Sequence, residues 1–243
     1  MKSIFKAFIF SIAVASMFPP EIFAATGGKV KESEEHWKYT VYLHGDLSSC
    51  TGVIIAQDAI LTAAHCIRPS NPSYKLHEAW FGRPLDSIKN QKMEWITKLR
   101  LDDARIMHGI DLAVVMLRNP IPSGFYPISI FDDESSLRFG TKAILLGYGA
   151  PTVSSPLTLR RSRVKVRTPD SRSDTEIVFE TSRRNEINRG DSGGPAVIAV
   201  GEKFELLGTA KSFSTTRNKA YYAKVIGLDN WLRQMIEEMR SKH

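Results

Sequence analysis

The sequence predicts an all-β protein, built as a sandwich or a pair of barrels and closed by a single terminal helix. Three observations predict it. Short β-rich runs recur along the chain, turn-forming residues separate them, and only the last stretch carries a helical apolar stripe. The runs are Tyr39–Leu43, Gly52–Ala56, Ala59–Thr62, Asp111–Leu117, Lys142–Leu146, Arg163–Arg167, Ile177–Glu180, Ala196–Val200, Phe204–Thr209 and Ala220–Val225. Gln57-Asp58 sits between the second and third as a hairpin turn, and Pro120, Pro122 and Gly124 mark a connection near 120–130.

The terminal helix follows from spacing. Leu228, Trp231, Leu232, Met235, Ile236 and Met239 fall at i, i+3, i+4, i+7, i+8 and i+11, which is one face of an α-helix. Arg240 and Lys242 complement the negative end of its dipole. The stripe reads as a packing face, and the helix is expected over about 227–241.

The first 24 residues read as an export signal. Lys2 and Lys6 form a basic start, Ala7 to Phe18 is apolar apart from two serines, and Ala24-Ala25 offers a small-residue cleavage site. No later apolar run approaches the ~18 residues that cross a bilayer, so a secreted or periplasmic protein without a membrane anchor after cleavage is expected. Two cysteines in an exported chain, Cys50 and Cys66, predict one disulfide across the first hairpin. No second histidine or cysteine stands at ligand spacing beside them, so no metal is predicted.

The formal net charge of +7 at pH 7 would favour anionic partners, but the basic residues are scattered. The densest cluster, Arg160, Arg161, Arg163, Lys165 and Arg167, alternates as the exposed face of a strand does. No zinc-finger, RNA-binding or helix-turn-helix pattern accompanies it, so nucleic acid is not an expected partner.

Chemistry concentrates at Gly190-Asp191-Ser192-Gly193-Gly194-Pro195. A serine hydroxyl needs a base to become a nucleophile, and its tetrahedral intermediate needs preorganised donors. Glycines around Ser192 permit tight turns and close substrate approach, so the N–H groups of Gly190 and Ser192 can serve one oxyanion cavity. Of His36, His44, His65, His77, His108 and His243, only His65 stands in a fixing context: Thr62-Ala63-Ala64-His65-Cys66 ends an apolar strand at a disulfide. The carboxylate that would orient it is Asp111, which enters the apolar run Leu112–Val115 and therefore needs a partner. Asp102 and Asp103 lie in a polar stretch that reads as surface.

Residues 190–194 also fit the Gly-x-Ser-x-Gly elbow of α/β-hydrolases. In that fold the histidine follows the serine, and here only His243 does, without strand–helix alternation.

The segments 62–66, Asp111-Leu112-Ala113 and 190–195 resemble the three signature segments of trypsin- and chymotrypsin-like serine proteases. Their order agrees, with 46 residues from His65 to Asp111 and 81 more to Ser192. Weaker similarity includes Gly147-Tyr148-Gly149, Leu207–Phe213 and the Trp231 helix. The resemblance implies two six-stranded antiparallel β-barrels, about 25–125 and 126–226, with the triad His65, Asp111, Ser192 between them. It implies a cofactor-free serine endopeptidase acting as a monomer on proteins or peptides.

It also implies an activation device: a mature amine at Ala25, in Ala25-Thr26-Gly27-Gly28, pairing with Asp191. The primary pocket would have Glu186 at its base and Lys211, Phe213 and Ala220 in its walls, with Phe213 able to fill it and Lys211 able either to neutralise Glu186 or to attract an acidic side chain. Asn188 replaces a cysteine of the family pattern. The rival from another class is a catalytically silent homologue that binds proteins or glycans.

Overall fold

The computed structural model describes residues 28–68, 75–86, 92–149, 157–167, 174–182 and 187–242. Strand β1 (Gly28–Lys29) precedes a 3-10 turn at Glu35–Lys38. The first barrel follows, made of β2 (Thr40–Gly45), β3 (Ser49–Ala56), β4 (Ala59–Thr62), β5 (Leu76–Leu85), β6 (Lys92–Met107) and β7 (Leu112–Leu117), with the short helix α1 (Ala64–Ile67) after β4. It closes in the order β2-β3-β4-β7-β6-β5, every pairing antiparallel. Val41, Leu43, Val53, Leu61, Leu112 and Val114 are fully or almost fully buried in it, so hydrophobic burial drives its closure.

Strand β8 (Ser129–Ile130) leads into β9 (Lys142–Gly147), β10 (Arg160–Arg167), β11 (Glu176–Glu180), β12 (Pro195–Val200), β13 (Lys203–Ser214) and β14 (Lys219–Lys224). Their antiparallel pairings run β9-β10-β11-β14-β13-β12 and return to β9, which makes the second six-stranded circuit. In β10 the buried Ser162, Val164 and Val166 alternate with exposed Arg163, Lys165 and Arg167, as the sequence pattern predicts. Strand β1 pairs with β10, Gly28 opposite Arg161, so the chain joins the second sheet before it builds the first barrel.

Strands β5 and β6 are absent from the sequence prediction. The charged outward positions of Lys98, Arg100, Asp102 and Asp103 conceal the alternation of β6. Asp102 and Asp103 lie where its register slips between Leu101 and Ala104, and pair with Arg118 (3.6 Å) and Arg105 (3.8 Å).

Helix α2 (Asp229–Arg240) buries Leu232, Ile236 and Met239 and packs against β7. Arg240 donates from Nε to Asp58 Oδ2 at 2.8 Å and from its terminal nitrogen to Oδ1 at 2.5 Å, tying the helix to the β3–β4 turn. The last element of the chain thus clasps the first barrel. Among the described residues no helix is long and apolar enough to cross a membrane.

Candidate active site

Register brings the first two site residues together. Strands β4 and β7 are antiparallel with Thr62 opposite Ala113, so the chain leaving β4 and the chain entering β7 share one edge of the barrel. His65 sits on α1 just past the first, and Asp111 in the turn just before the second. A disulfide joins Cys66, next to His65, to Cys50 on β3. Closing a loop of that length stabilises the fold by roughly 3 kcal/mol in the chain-entropy account.

Asp111 accepts two hydrogen bonds from the same residue. The backbone N–H of His65 lies 2.9 Å from Oδ1, and the ring Nδ1 lies 2.7 Å from Oδ2. Burial pushes the Asp111 carboxyl upward. The two His65 bonds and the positive charges of His65 and Lys211 outweigh it and hold the group below the usual carboxylate range. An ionised Asp111 keeps the proton on Nδ1, which leaves the Nε2 lone pair as the acceptor. The imidazole side chain is 47% exposed and the Asp111 side chain 15%, so the pair stands at the surface with its acid turned inward.

The loop bearing Ser192 belongs to the second barrel and is clamped to the first through Thr51, on β3. Thr51 N–H donates to the Ser192 carbonyl at 2.8 Å, and its hydroxyl donates to the Gly190 carbonyl at 2.7 Å. The same hydroxyl accepts the Tyr148 N–H at 3.0 Å, while Thr51 O accepts from Thr62 Oγ1 at 2.9 Å. Cys66 Sγ lies 3.9 Å from the Ser192 carbonyl oxygen, so the serine loop abuts the turn of helix carrying His65.

Sequence reasoning missed Thr51. Its only signal is its place beside Cys50, because a buried threonine in a strand carries no motif. Tyr42 of β2 packs against Trp80, Trp95 and Tyr148, with ring centroids 5.5 to 6.0 Å apart, and holds the 147–149 turn against the first barrel.

Backbone geometry explains two of the glycines. Gly190 has φ +95° and Gly193 φ +78°, in the left-handed region that disfavours a side chain. Gly193 N–H donates to Ala210 O and Ala210 N–H donates to Gly194 O, both at 2.8 Å, so β13 braces the loop from the other side.

Asp191 is 2% exposed. Its carboxylate accepts from Gly149 N–H and Asn188 N–H, each at 2.7 Å. Burial raises this group to about 6, against the pull of those two bonds and of the Arg160 charge. The sign follows from linkage. A carboxyl that binds its proton more tightly folded than unfolded favours folding below about pH 4, and that contribution is lost as pH rises through about 6. On the full-length chain, Asp191→Asn is therefore expected to flatten the pH dependence of the urea midpoint between pH 4 and 6. The difference is at most roughly 3 kcal/mol, and equal profiles for parent and variant would refute it.

The other predicted positions lie on β13 and β14 or outside the described residues. Ala220 is buried on β14, opposite Phe213 of β13, whose residue exposure is 43%. The Lys211 ammonium pairs with Glu176 Oε1, and the reading that it neutralises Glu186 falls on a residue outside those described. Glu186 and Ala25 lie outside the described residues. His36 is buried, with Nδ1 2.5 Å from the Tyr39 hydroxyl, and burial lowers it to about 4. That is a core role. His77 reaches Asp46 at 3.3 Å.

The trypsin family model matches residues 25–232, which takes in both barrels and the start of α2. The chain belongs to the trypsin family. It is 23% identical to a serine protease of Anopheles gambiae over 218 residues, 85% of this chain and 79% of the relative. It is also 23% identical to a tissue-type plasminogen activator of Rattus norvegicus over 257 aligned positions, 89% of this chain but 45% of that protein. Family membership thus rests on the whole paired-barrel region and not on a single motif.

Proposed function

We propose that this trypsin-family protein is a secreted or periplasmic serine endopeptidase. Ser192 attacks the peptide carbonyl, and His65 takes its proton and delivers it to the leaving amine. Asp111 orients His65, and the N–H groups of Gly190 and Ser192 stabilise the oxyanion. An acyl-enzyme forms on Ser192 and water resolves it, without a metal or organic cofactor. The observation that carries the reading is the paired bond from His65 to Asp111, which fixes the imidazole tautomer beside a serine loop gripped by both barrels.

The signal of residues 1–24 is removed, and the new amine of Ala25 pairs with Asp191. Two observations favour this. The Asp191 carboxylate is buried, and β1 starts opposite Arg161, next to the Arg160 whose charge acts on Asp191. An ammonium there would hold Asp191 ionised and reverse the pH trend given above. Glu186, Lys211, Phe213 and Ala220 are assigned to the pocket for the residue before the scissile bond, and the substrates are proteins or peptides cleaved by a monomer.

The deciding test is covalent labelling with a fluorophosphonate probe, parent against Ser192→Ala. Labelling of the mature parent that vanishes in the variant supports the reading. An unlabelled parent overturns it in favour of a silent binding protein. Mass analysis of the mature N-terminus decides the activation device, which requires a start at residue 25.

A further inference from the structure

The basic alternation of β10 has no part in the proposed catalysis, and it borders an open groove of about 710 Å³ on the outer face of the second barrel. Register explains the groove. Strand β9 meets β12 on two rungs only, Leu145 with Ala196 and Ile144 with Val197. Beyond them β9 stays with β10 as far as Lys142–Lys165, and β12 stays with β13 as far as Val200–Lys203. The two ribbons part there, and the groove opens between them.

Residues directly opposite each other on neighbouring strands share a face. Ile144 and Val197 thus lie side by side as an apolar floor, and Ala199 with Phe204 forms the bank on the β12–β13 side. The other bank is cationic. Arg163 stands opposite Ile144 and Lys165 opposite Lys142, and the three basic residues are exposed. Like charges directly opposite each other destabilise a sheet, so the Lys142–Lys165 rung gains from an anion placed between them. Glu180, opposite Lys165 on β11, is the one acid among the described residues of the lining, against three cations.

We propose that this groove binds a free single-chain amphiphile with an anionic head, of the class of medium- and long-chain carboxylates. The alkyl chain lies over Ile144, Val197, Ala199 and Phe204, and the carboxylate is held by Lys142, Arg163 and Lys165. Aliphatic and aromatic walls give methylenes contact and offer none of the hydrogen bonds that a peptide backbone would need. The volume falls within the roughly 300–1,000 Å³ of small-molecule sites, and a concave floor admits one chain where a bilayer needs a protruding apolar face. The groove shares no residue with the triad or with the positions assigned to the substrate pocket.

Calorimetric titration of the full-length chain with decanoate, below its micelle concentration, tests this. One molecule is expected to bind per chain, with octanoate roughly tenfold weaker because fewer methylenes are buried. Decanol, which has the chain without the charge, is expected to bind the parent about tenfold more weakly, and decanoate to bind Lys142→Glu more weakly by a similar factor. Ala199→Glu, at an exposed position of β12, sets an acid against the alkyl chain and is expected to abolish binding. Circular dichroism checks that both variants keep the parent's strands. Equal affinity for octanoate and decanoate would reduce the site to an ion contact and overturn the proposal. So would the absence of saturable binding, affinities unmoved in both variants, or attachment to phosphatidylglycerol vesicles without binding of free decanoate. The measurement needs no turnover, so it decides this site whichever way fluorophosphonate labelling falls.

Discussion

Asp111→Asn is expected to lower kcat/KM for peptide cleavage by about 10⁴-fold while leaving the barrels folded. Asp111 uses both oxygens, one for the backbone N–H of His65 and one for its ring Nδ1, at 2.9 and 2.7 Å. An asparagine side chain has a single acceptor oxygen and a donating amide. If the oxygen keeps the backbone bond, the NH₂ group faces Nδ1 and favours a ring with its proton on Nε2. That tautomer has no lone pair to receive the serine proton, and no carboxylate remains to stabilise the imidazolium. The check is steady-state kinetics on a cleaved peptide, together with circular dichroism to show an unchanged fold. A loss smaller than tenfold would mean that His65 is oriented by something other than Asp111.

Gly193→Ala is expected to produce the largest loss of stability, about 4 kcal/mol or more. Two independent costs coincide. The backbone there has φ +78°, where an L side chain is strained. A Cβ would also overlap Thr62 Oγ1 and Thr51 O, and would lie 2.8 Å from Ala63 N. None of these neighbours can yield cheaply. Thr51 is the clamp between the barrels, and Thr62 and Ala63 lead into the helix bearing His65. In a domain of this size the loss corresponds to a fall in Tm of roughly 8 °C or more, read by calorimetry. A fall below 2 °C would show that the loop is far softer than its hydrogen bonds imply.

Both effects trace to segments that stand out in the linear sequence. Ser192 and its glycines, His65 beside Cys66, and Asp111 ahead of an apolar run were legible because nucleophilic chemistry leaves few choices of residue type. Strands β3, β4, β7 and β12 were legible for a different reason: they are apolar on a strand's scale and bounded by turn residues. Strands β5 and β6 were not, because their outward positions carry lysine, arginine and acids that dilute the alternation. Burial of one face is enough to make a barrel strand, and such a strand can look polar on average.

By itself the sequence determined which residue types are available and in what order, that two cysteines would close the first hairpin, and that a terminal apolar stripe would be a packing face. Tertiary structure alone decided who meets whom. The pairing of Thr62 with Ala113 sets His65 against Asp111. Thr51 joins the Ser192 loop to the other barrel, and Lys211, at a bulge of β13, meets Glu176 of β11. These are contacts between residues as far as 141 positions apart. A local pattern fixes conformation over a few residues, whereas strand register across a closed barrel fixes distance between remote ones, and the candidate site is assembled by the latter.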